Sequence, residues 1–409
     1  MRRSVILFTI VTLVACGRFG YESKDVDVAA ADSGVLAPDA GGETSGDAAV
    51  ARLGGQLISG WHHVCLMRAD TLQCWGDGSD GQFGNGNYEY ALSPFKFTSL
   101  AGLPGPITDI TGGNHYGCAL SGGDAYCWGE NKYGELGTSD TSFRESPARV
   151  IGLPNGQVTA IAGSLTSTCA IASGLVYCWG RNQNGQLGIG TYQDSDTAQP
   201  VLGIDGAAVA LTTGSDHACA ITENRSVFCW GHDDNGALGV GQYVGDSTVA
   251  LPSLLTGAEQ VSIASVHACG LADGAVYCWG TGSDGELGDG NYSDSNAPVP
   301  VTGLGDSVTA MFTAPCGASK DASCAIRAGV VYCWGSNDGG RLGNGSTENR
   351  GEPSEVWLPA PAVAIAGGAY HACALLEDDT VWCWGSGDRG QLGDGTGANS
   401  YTPVQVSLL

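Results

Sequence analysis

Positive charge is scarce in this chain. Its 409 residues carry 17 Lys and Arg against 42 Asp and Glu, a formal charge of −25. Binding to phosphate backbones needs clustered cations, so nucleic acid is excluded as a partner, and anionic membrane surfaces are disfavoured on the same ground. A spanning hydrophobic run is also missing at the N-terminus. Ser4–Val14 is apolar but falls well short of the roughly 20 residues a membrane helix needs. Zinc-type cysteine spacing is absent from the paired cysteines, which recur as Cys-x8-Cys or Cys-x9-Cys. No Ser/His/Asp or paired-carboxylate constellation stands out along the chain, so no catalysis, cofactor or metal is expected.

What the chain has is a period. Variants of Val-Tyr-Cys-Trp-Gly place tryptophans at Trp75, Trp128, Trp179, Trp230, Trp279, Trp334 and Trp384, at intervals of 53, 51, 51, 49, 55 and 50 residues. Such spacing means one supersecondary unit copied in series. In the third copy Val158–Ile161 reads as a strand, and Cys169–Ile171 starts a second. Ser173-Gly174 is a tight turn, and Leu175–Trp179 is a β-rich return strand. A Gly/Asn-rich connection follows, and then a fourth strand led by Pro200. A four-stranded unit cannot bury both faces alone, whereas radial stacking does so. The expected fold is all-β: a seven-bladed propeller over 53–409 with four-stranded blades of about 51 residues. The entering strand Gly55–Ile58 and the leaving strand Thr402–Val406 are expected to pair in one blade and close the ring.

The repeat resembles the regulator of chromosome condensation family of seven-bladed propellers. The motifs that carry the likeness are Ile-Ala-Gly-x-x-His, Cys-Ala-Leu, Tyr-Cys-Trp-Gly, Gly-Gln-Leu-Gly and a later Pro-x-x-Val, over about 350 residues. The resemblance implies the fold. For function it implies nucleotide exchange on a small GTPase and chromatin binding, from which the acidic, cysteine-bearing chain departs.

The first 16 residues read as an export signal. Arg2 and Arg3 precede the apolar stretch, which ends in Leu13-Val14-Ala15-Cys16. This resembles the lipobox of bacterial lipoproteins, which implies lipidation of Cys16 and, with Gly17 next, an outer-membrane location. Residues 17–52 are rich in Ala, Asp, Gly and Ser and read as a flexible tether.

Fourteen cysteines form in-repeat pairs: Cys65/Cys74, Cys118/Cys127, Cys169/Cys178, Cys219/Cys229, Cys269/Cys278, Cys324/Cys333 and Cys373/Cys383. Folding Cys118–Cys127 on Gly122-Gly123 sets the two cysteines directly opposite each other. The parity makes this a non-hydrogen-bonded pair, with Cα atoms about 4.5–5 Å apart and within disulfide range. The ten-spaced pairs fit three-residue loops at Glu223–Arg225 and Glu377–Asp379. Disulfides suit an exported protein, and packed thiols are the alternative. Cys16 and Cys316 are left over; Cys316 is read either as a free thiol or as a competitor for Cys324.

His63, His217, His267 and His371 each precede a repeat cysteine by two residues, and this recurrence argues for scaffold rather than a catalytic pair. Asp77–Asp80 and Asp233–Asn235 begin like calcium loops but lack the closing Glu, and Asn/Asp-Gly is ordinary turn chemistry.

Copies diverge most after each Leu-Gly. The divergent segments hold Tyr88, Tyr90, Asp140, Phe143, Tyr192, Asp194, Asp196, Tyr243, Asp246, Tyr292, Asp294 and Tyr401. Equivalent positions in successive blades share a face, so these residues are the expected binding ring. Trp61, His62 and Trp357 are further repeat-specific exceptions. The function read from the sequence is a non-catalytic, monomeric scaffold on the bacterial envelope that binds an envelope or extracellular protein. Alternatives are a glycan or cell-wall binder, an exchange factor, and an enzyme using the central channel.

Overall fold

A computed structural model describes residues 18–19, 55–68, 71–86, 88–97, 100, 102–314 and 321–408. The expectations for Cys16, for Cys316 and for the tether beyond Arg18–Phe19 lie outside these residues. Seven antiparallel sheets form in chain order, each from four consecutive strands, the first with Arg18–Phe19 added along its inner strand. Blade 3 is typical, with strands Val158–Gly163, Ser167–Ala172, Leu175–Gly180 and Ser195–Pro200. First strands of successive blades touch one another around the ring, which makes them the inner strands.

Turn chemistry sets the register. Asp273 and Gly274 both take positive φ, 49° and 79°, as a two-residue hairpin turn of this hand requires. The same pair of conformations occurs at Ser173-Gly174 and Ala328-Gly329. In the two longer hairpins a single residue, Arg225 or Asp379, takes the left-handed conformation. Each second strand therefore meets its third with cysteines opposite, as in Cys118↔Cys127 and Cys219↔Cys229.

All seven pairs form disulfides: Cys65–Cys74, Cys118–Cys127, Cys169–Cys178, Cys219–Cys229, Cys269–Cys278, Cys324–Cys333 and Cys373–Cys383. The alternative of packed thiols falls for these fourteen residues. Their Cα atoms are 4.0–4.1 Å apart, closer than the separation expected from the strand register alone. The bridge joins residues directly opposite each other, so the paired strands are drawn in at that point. Immediately after the second cysteine the pairing to the outer strand slips, which the sequence reading did not anticipate. The shift falls between Cys74 and Gly76, Cys127 and Gly129, Cys178 and Gly180, Cys229 and Gly231, Cys278 and Gly280, Cys333 and Gly335, and Cys383 and Gly385. The glycine that ends each slip has a φ of 97–104°, which a β-bulge can demand and other residues resist.

Tryptophan joins the blades. Each repeat Trp is fully buried and donates its indole N–H to a backbone carbonyl of the preceding blade. Trp128 bonds Gln82 at 3.0 Å and Trp179 bonds Glu135 at 2.8 Å. Trp75 bonds Gln391 at 2.8 Å, across the junction of blades 7 and 1.

Two expectations about the outer strand are corrected. The leaving strand Ser400–Gln405 pairs within its own blade, and does not pair with Gly55–Ser59. Each repeat counted from its inner strand already holds four strands, so none is missing. Packing closes the ring instead: Leu57, Leu66 and Trp75 share a core with Leu392 and Val406. The second correction concerns proline. Pro200 ends the fourth strand rather than leading it. The outer strand has a ladder partner on one edge only, so a residue without N–H fits on the other side.

Candidate binding face

Antiparallel order sends the first-to-second and third-to-fourth connections of every blade to one face. The long third-to-fourth loops there share an internal design. In blade 3, Asn182 is fully buried; its Oδ1 accepts the Leu187 N–H at 3.0 Å, and its Nδ2 donates to the carbonyls of Thr191 and Gln193. Gln186 closes the turn by accepting the Asn184 N–H at 3.0 Å. Asn131, Asp233 and Asn337 take the place of Asn182 in other blades.

The carboxylates of the calcium-like loops are also engaged within the protein. Asp233 accepts the N–H groups of Leu238 and Val244. Asp77 accepts two bonds from Ser79 and pairs with Arg389 at 2.7 Å. Burial disfavours the Asp77 charge, but these bonds outweigh it and hold the pKa below the usual carboxylate value.

This design divides the twelve ring residues. Asp194 and Asp294 each accept a backbone N–H, from Asn182 at 2.7 Å and Gly282 at 3.0 Å. Asn349 and Asn399 do the same in blades 6 and 7, so the job needs an oxygen rather than a charge. Asp246 bonds the His232 ring at 2.7 Å, and Asp140 pairs with Arg144 at 2.6 Å. Asp196 falls inside the outer strand of blade 3, where its backbone carbonyl accepts the Ser139 N–H. Tyr401 also lies in an outer strand rather than a loop, because that strand starts at Ser400, paired with Gly385.

The aromatic members are exposed. Tyr88, Tyr90, Phe143, Tyr192, Tyr243, Tyr292 and Tyr401 have 43–62% of their surface in solvent. Several lean across a blade junction. The rings of Tyr88 and Phe143 lie 6.0 Å apart, Tyr192 donates to the Asp246 carbonyl at 3.4 Å, and the Tyr292 hydroxyl accepts the Gly351 N–H at 3.1 Å. Nearer the axis on the same face, half-buried His62 stacks on Tyr370 at 6.2 Å, beside Trp61. Trp357 sits at the far end of its strand, on the opposite face, 72% exposed.

The repeat histidines are buried between inner strands. Burial pushes the pKa of His63 down to about 4, and those of His217 and His371 to about 3, so all three are neutral at pH 7. His371 bonds the Ser59 hydroxyl at 3.1 Å across the ring closure. At the junction of blades 5 and 6 the structure assembles what the sequence did not reveal. His267 lies 2.8 Å from Ser323 Oγ and 3.3 Å from Asp321 Oδ2. All three side chains are buried, at 0–1% exposure, which leaves no approach to the serine hydroxyl. Asp321 also accepts the N–H groups of Ser265 and Val266, so the group works as an interblade clamp.

A ring of copied blades with a shared core and individual loops defines a propeller scaffold, in which binding belongs to the loop-bearing faces. The model of the regulator of chromosome condensation (RCC1) repeat matches residues 71–120, 122–171, 173–221, 273–319, 328–375 and 378–409, and a second RCC1 repeat model matches 208–237 and 362–391. The chain belongs to this repeat family, whose propellers serve as binding and regulatory scaffolds. It is 31% identical over 329 residues to the ultraviolet-B receptor UVR8 of Arabidopsis thaliana, covering 77% of this chain and 73% of that protein. It is 28% identical over 293 residues to the human E3 ubiquitin-protein ligase HERC2, covering 70% of this chain but 5% of that one. The fold is similar to the crystal structure of human WBSCR16, with a TM-score of 0.72, 21% identity and coverage of 83% and 94%. It is also similar to Prp20p of Saccharomyces cerevisiae, with a TM-score of 0.71, 22% identity and coverage of 83% and 86%.

Proposed function

We propose that this protein is a non-catalytic binding scaffold, exported and lipid-anchored through Cys16 at the bacterial outer membrane, that holds a protein partner on its loop face. The observation that carries the reading is the gathering of seven exposed aromatic side chains on one face of the ring. Tyrosine combines rigid contact area with a polar tip and suits protein recognition. Seven disulfides are consistent with an oxidising compartment. Among the described residues no helix is long and apolar enough to cross a membrane.

The test uses the full chain expressed in its own host. Labelled fatty acid should enter the wild type and not Cys16→Ser. The oxidised protein should recover one stoichiometric envelope protein, lost on combined substitution of Tyr192, Tyr243 and Tyr292 by Ser. Retention on purified wall or polysaccharide instead, with no protein partner, would replace this reading with a glycan binder.

A further inference from the structure

The exposed aromatic groups are not equivalent. Tyr192 and Tyr292 use their hydroxyls on the neighbouring blade's backbone. At the junction of blades 1 and 2 two rings from different blades, Tyr88 and Phe143, face each other at 6.0 Å and an angle of 34°. Beside them is exposed Glu145. Partial desolvation and a hydrogen bond to the Glu145 carboxylate raise the Tyr88 pKa. Arg144, next in sequence to Phe143, is engaged by Asp140 at 2.6 Å.

Elsewhere this chain supplies cations to its own aromatic rings. Arg181 and Lys132 lie 5.2 and 5.1 Å from the Tyr133 ring centre, and Arg341 lies 4.9 Å from that of Tyr370. Among the described residues no such cation stands over Tyr88 or Phe143. Two π-faces and a carboxylate with acceptor sites to spare form the electrostatic complement of a guanidinium. The formal charge of −25 favours the approach of a cationic segment from solution.

We infer that Tyr88, Phe143 and Glu145 form the anchor point for an arginine side chain of the protein partner, presented on a basic segment. This rests on the loop-face reading above and specifies the chemistry of what that face holds. The guanidinium would lie against the Phe143 and Tyr88 rings while its N–H groups reach Glu145, and the surrounding acids would contribute long-range attraction without specificity.

The probe is a fluorescent hexa-arginine peptide, read by anisotropy at moderate salt against the full oxidised chain. Phe143→Leu and Tyr88→Leu keep an apolar group and remove the π-face. Each should weaken binding at least fivefold, and Glu145→Gln about threefold. Tyr243→Leu, three blades from Tyr88, should change it less than twofold. All four side chains are exposed, and near-UV circular dichroism checks that the folds match. No binding by the wild type, or equal losses at Phe143 and Tyr243, would overturn the anchor. The failures are distinguishable with the partner recovered from the host. If that partner is indifferent to Phe143 but lost on substitution at Tyr243 or Tyr292, the anchor fails and the loop-face reading stands. Indifference to every aromatic substitution would sink both.

Discussion

At the scale of single residues, a recurring position is filled by different groups at the blade junctions. The residue before each loop's Leu-Gly, or before Phe83-Gly84 in blade 1, is Gln82, Glu135, Gln186, Ala237, Glu286, Arg341 or Gln391, and its carbonyl receives the next blade's tryptophan. Gln186 also donates to Asp216 at 2.9 Å. Two junctions further on, Glu286 occupies the glutamine's place with Asp321 nearby. Burial first, and then the negative charges of Asp321 and Asp284, push the Glu286 pKa up to about 8. The folded protein therefore keeps a proton that the unfolded chain releases near the ordinary value of 4.5. Between these two pH values the folded state binds more protons, so stability falls as pH rises, by at most about 1.4 kcal/mol per pH unit. Above about pH 8 this loss is complete. Glu286→Gln should flatten the curve: Tm should rise relative to wild type at pH 8 and match it near pH 4.5. Parallel curves of Tm against pH for the two proteins would refute this. The change is sterically modest, because glutamine already fills the site in blades 1, 3 and 7.

At the scale of elements, the outer strands show how the molecule avoids pairing with other copies. An open strand edge is a template for association. The residue after the one opposite the third-strand cysteine is Pro200 in blade 3, Pro252 in blade 4 and Pro300 in blade 5. Equivalent positions hold Lys96, Arg149, Glu355 and Gln405. Two residues earlier, the N–H groups of Ala198 and Ala250 bond carbonyls of the preceding blade, at Ile151 and Leu202, while Pro94, Pro147, Pro298, Pro353 and Pro403 have no N–H to offer. Each edge thus presents proline, charge, a polar amide or an already bonded donor. Substituting Pro200, Pro252 and Pro300 together by Val should leave the thermal transition within a few degrees of wild type and produce concentration-dependent oligomers in sedimentation velocity. A triple variant that stays monomeric at high concentration would show that proline does not guard these edges. Much of this level was legible in the sequence, because glycine-containing turns fix hairpin register and register fixes which cysteines meet. The outer strand's start was less legible. The bulge between Cys178 and Gly180 shifts its pairing, and the glycine after the tryptophan is its one trace in the sequence. That glycine reads equally well as the first residue of the loop.

At the scale of the whole molecule, the seven-fold period was readable and the closure was not. A sequence gives the order of strands but not which edge faces the axis, so the terminal strands looked like halves of one blade. The clamp of His267, Asp321 and Ser323 was hidden for a related reason, since its members come from two blades and meet only when the ring forms. Packing closure has a mechanical consequence. The 7–1 junction uses the same kinds of contact as the others: an indole bond from Trp75 to Gln391, a bond from His371 at the start of blade 7's second strand to Ser59 on blade 1's inner strand, and a backbone bond from Ala369 to Trp61. Apart from the short strand Arg18–Phe19, which pairs with blade 1's inner strand, nothing in it requires the chain ends to be where they are. Opening the chain between Asp205 and Gly206, in the connection from blade 3 to blade 4, should therefore cost little if Leu408 is joined to Gly55 by a short Gly/Ser linker. That connection is exposed, and in the natural chain the next inner strand starts at Ala208, a few residues after Pro200. The permuted protein should carry seven disulfides by intact mass and melt in one calorimetric transition within several degrees of the parent. If the natural order of blades acted as a latch, the permutant would melt in two steps, with the opened 3–4 junction separating first, and closure by packing would be the wrong description of this ring.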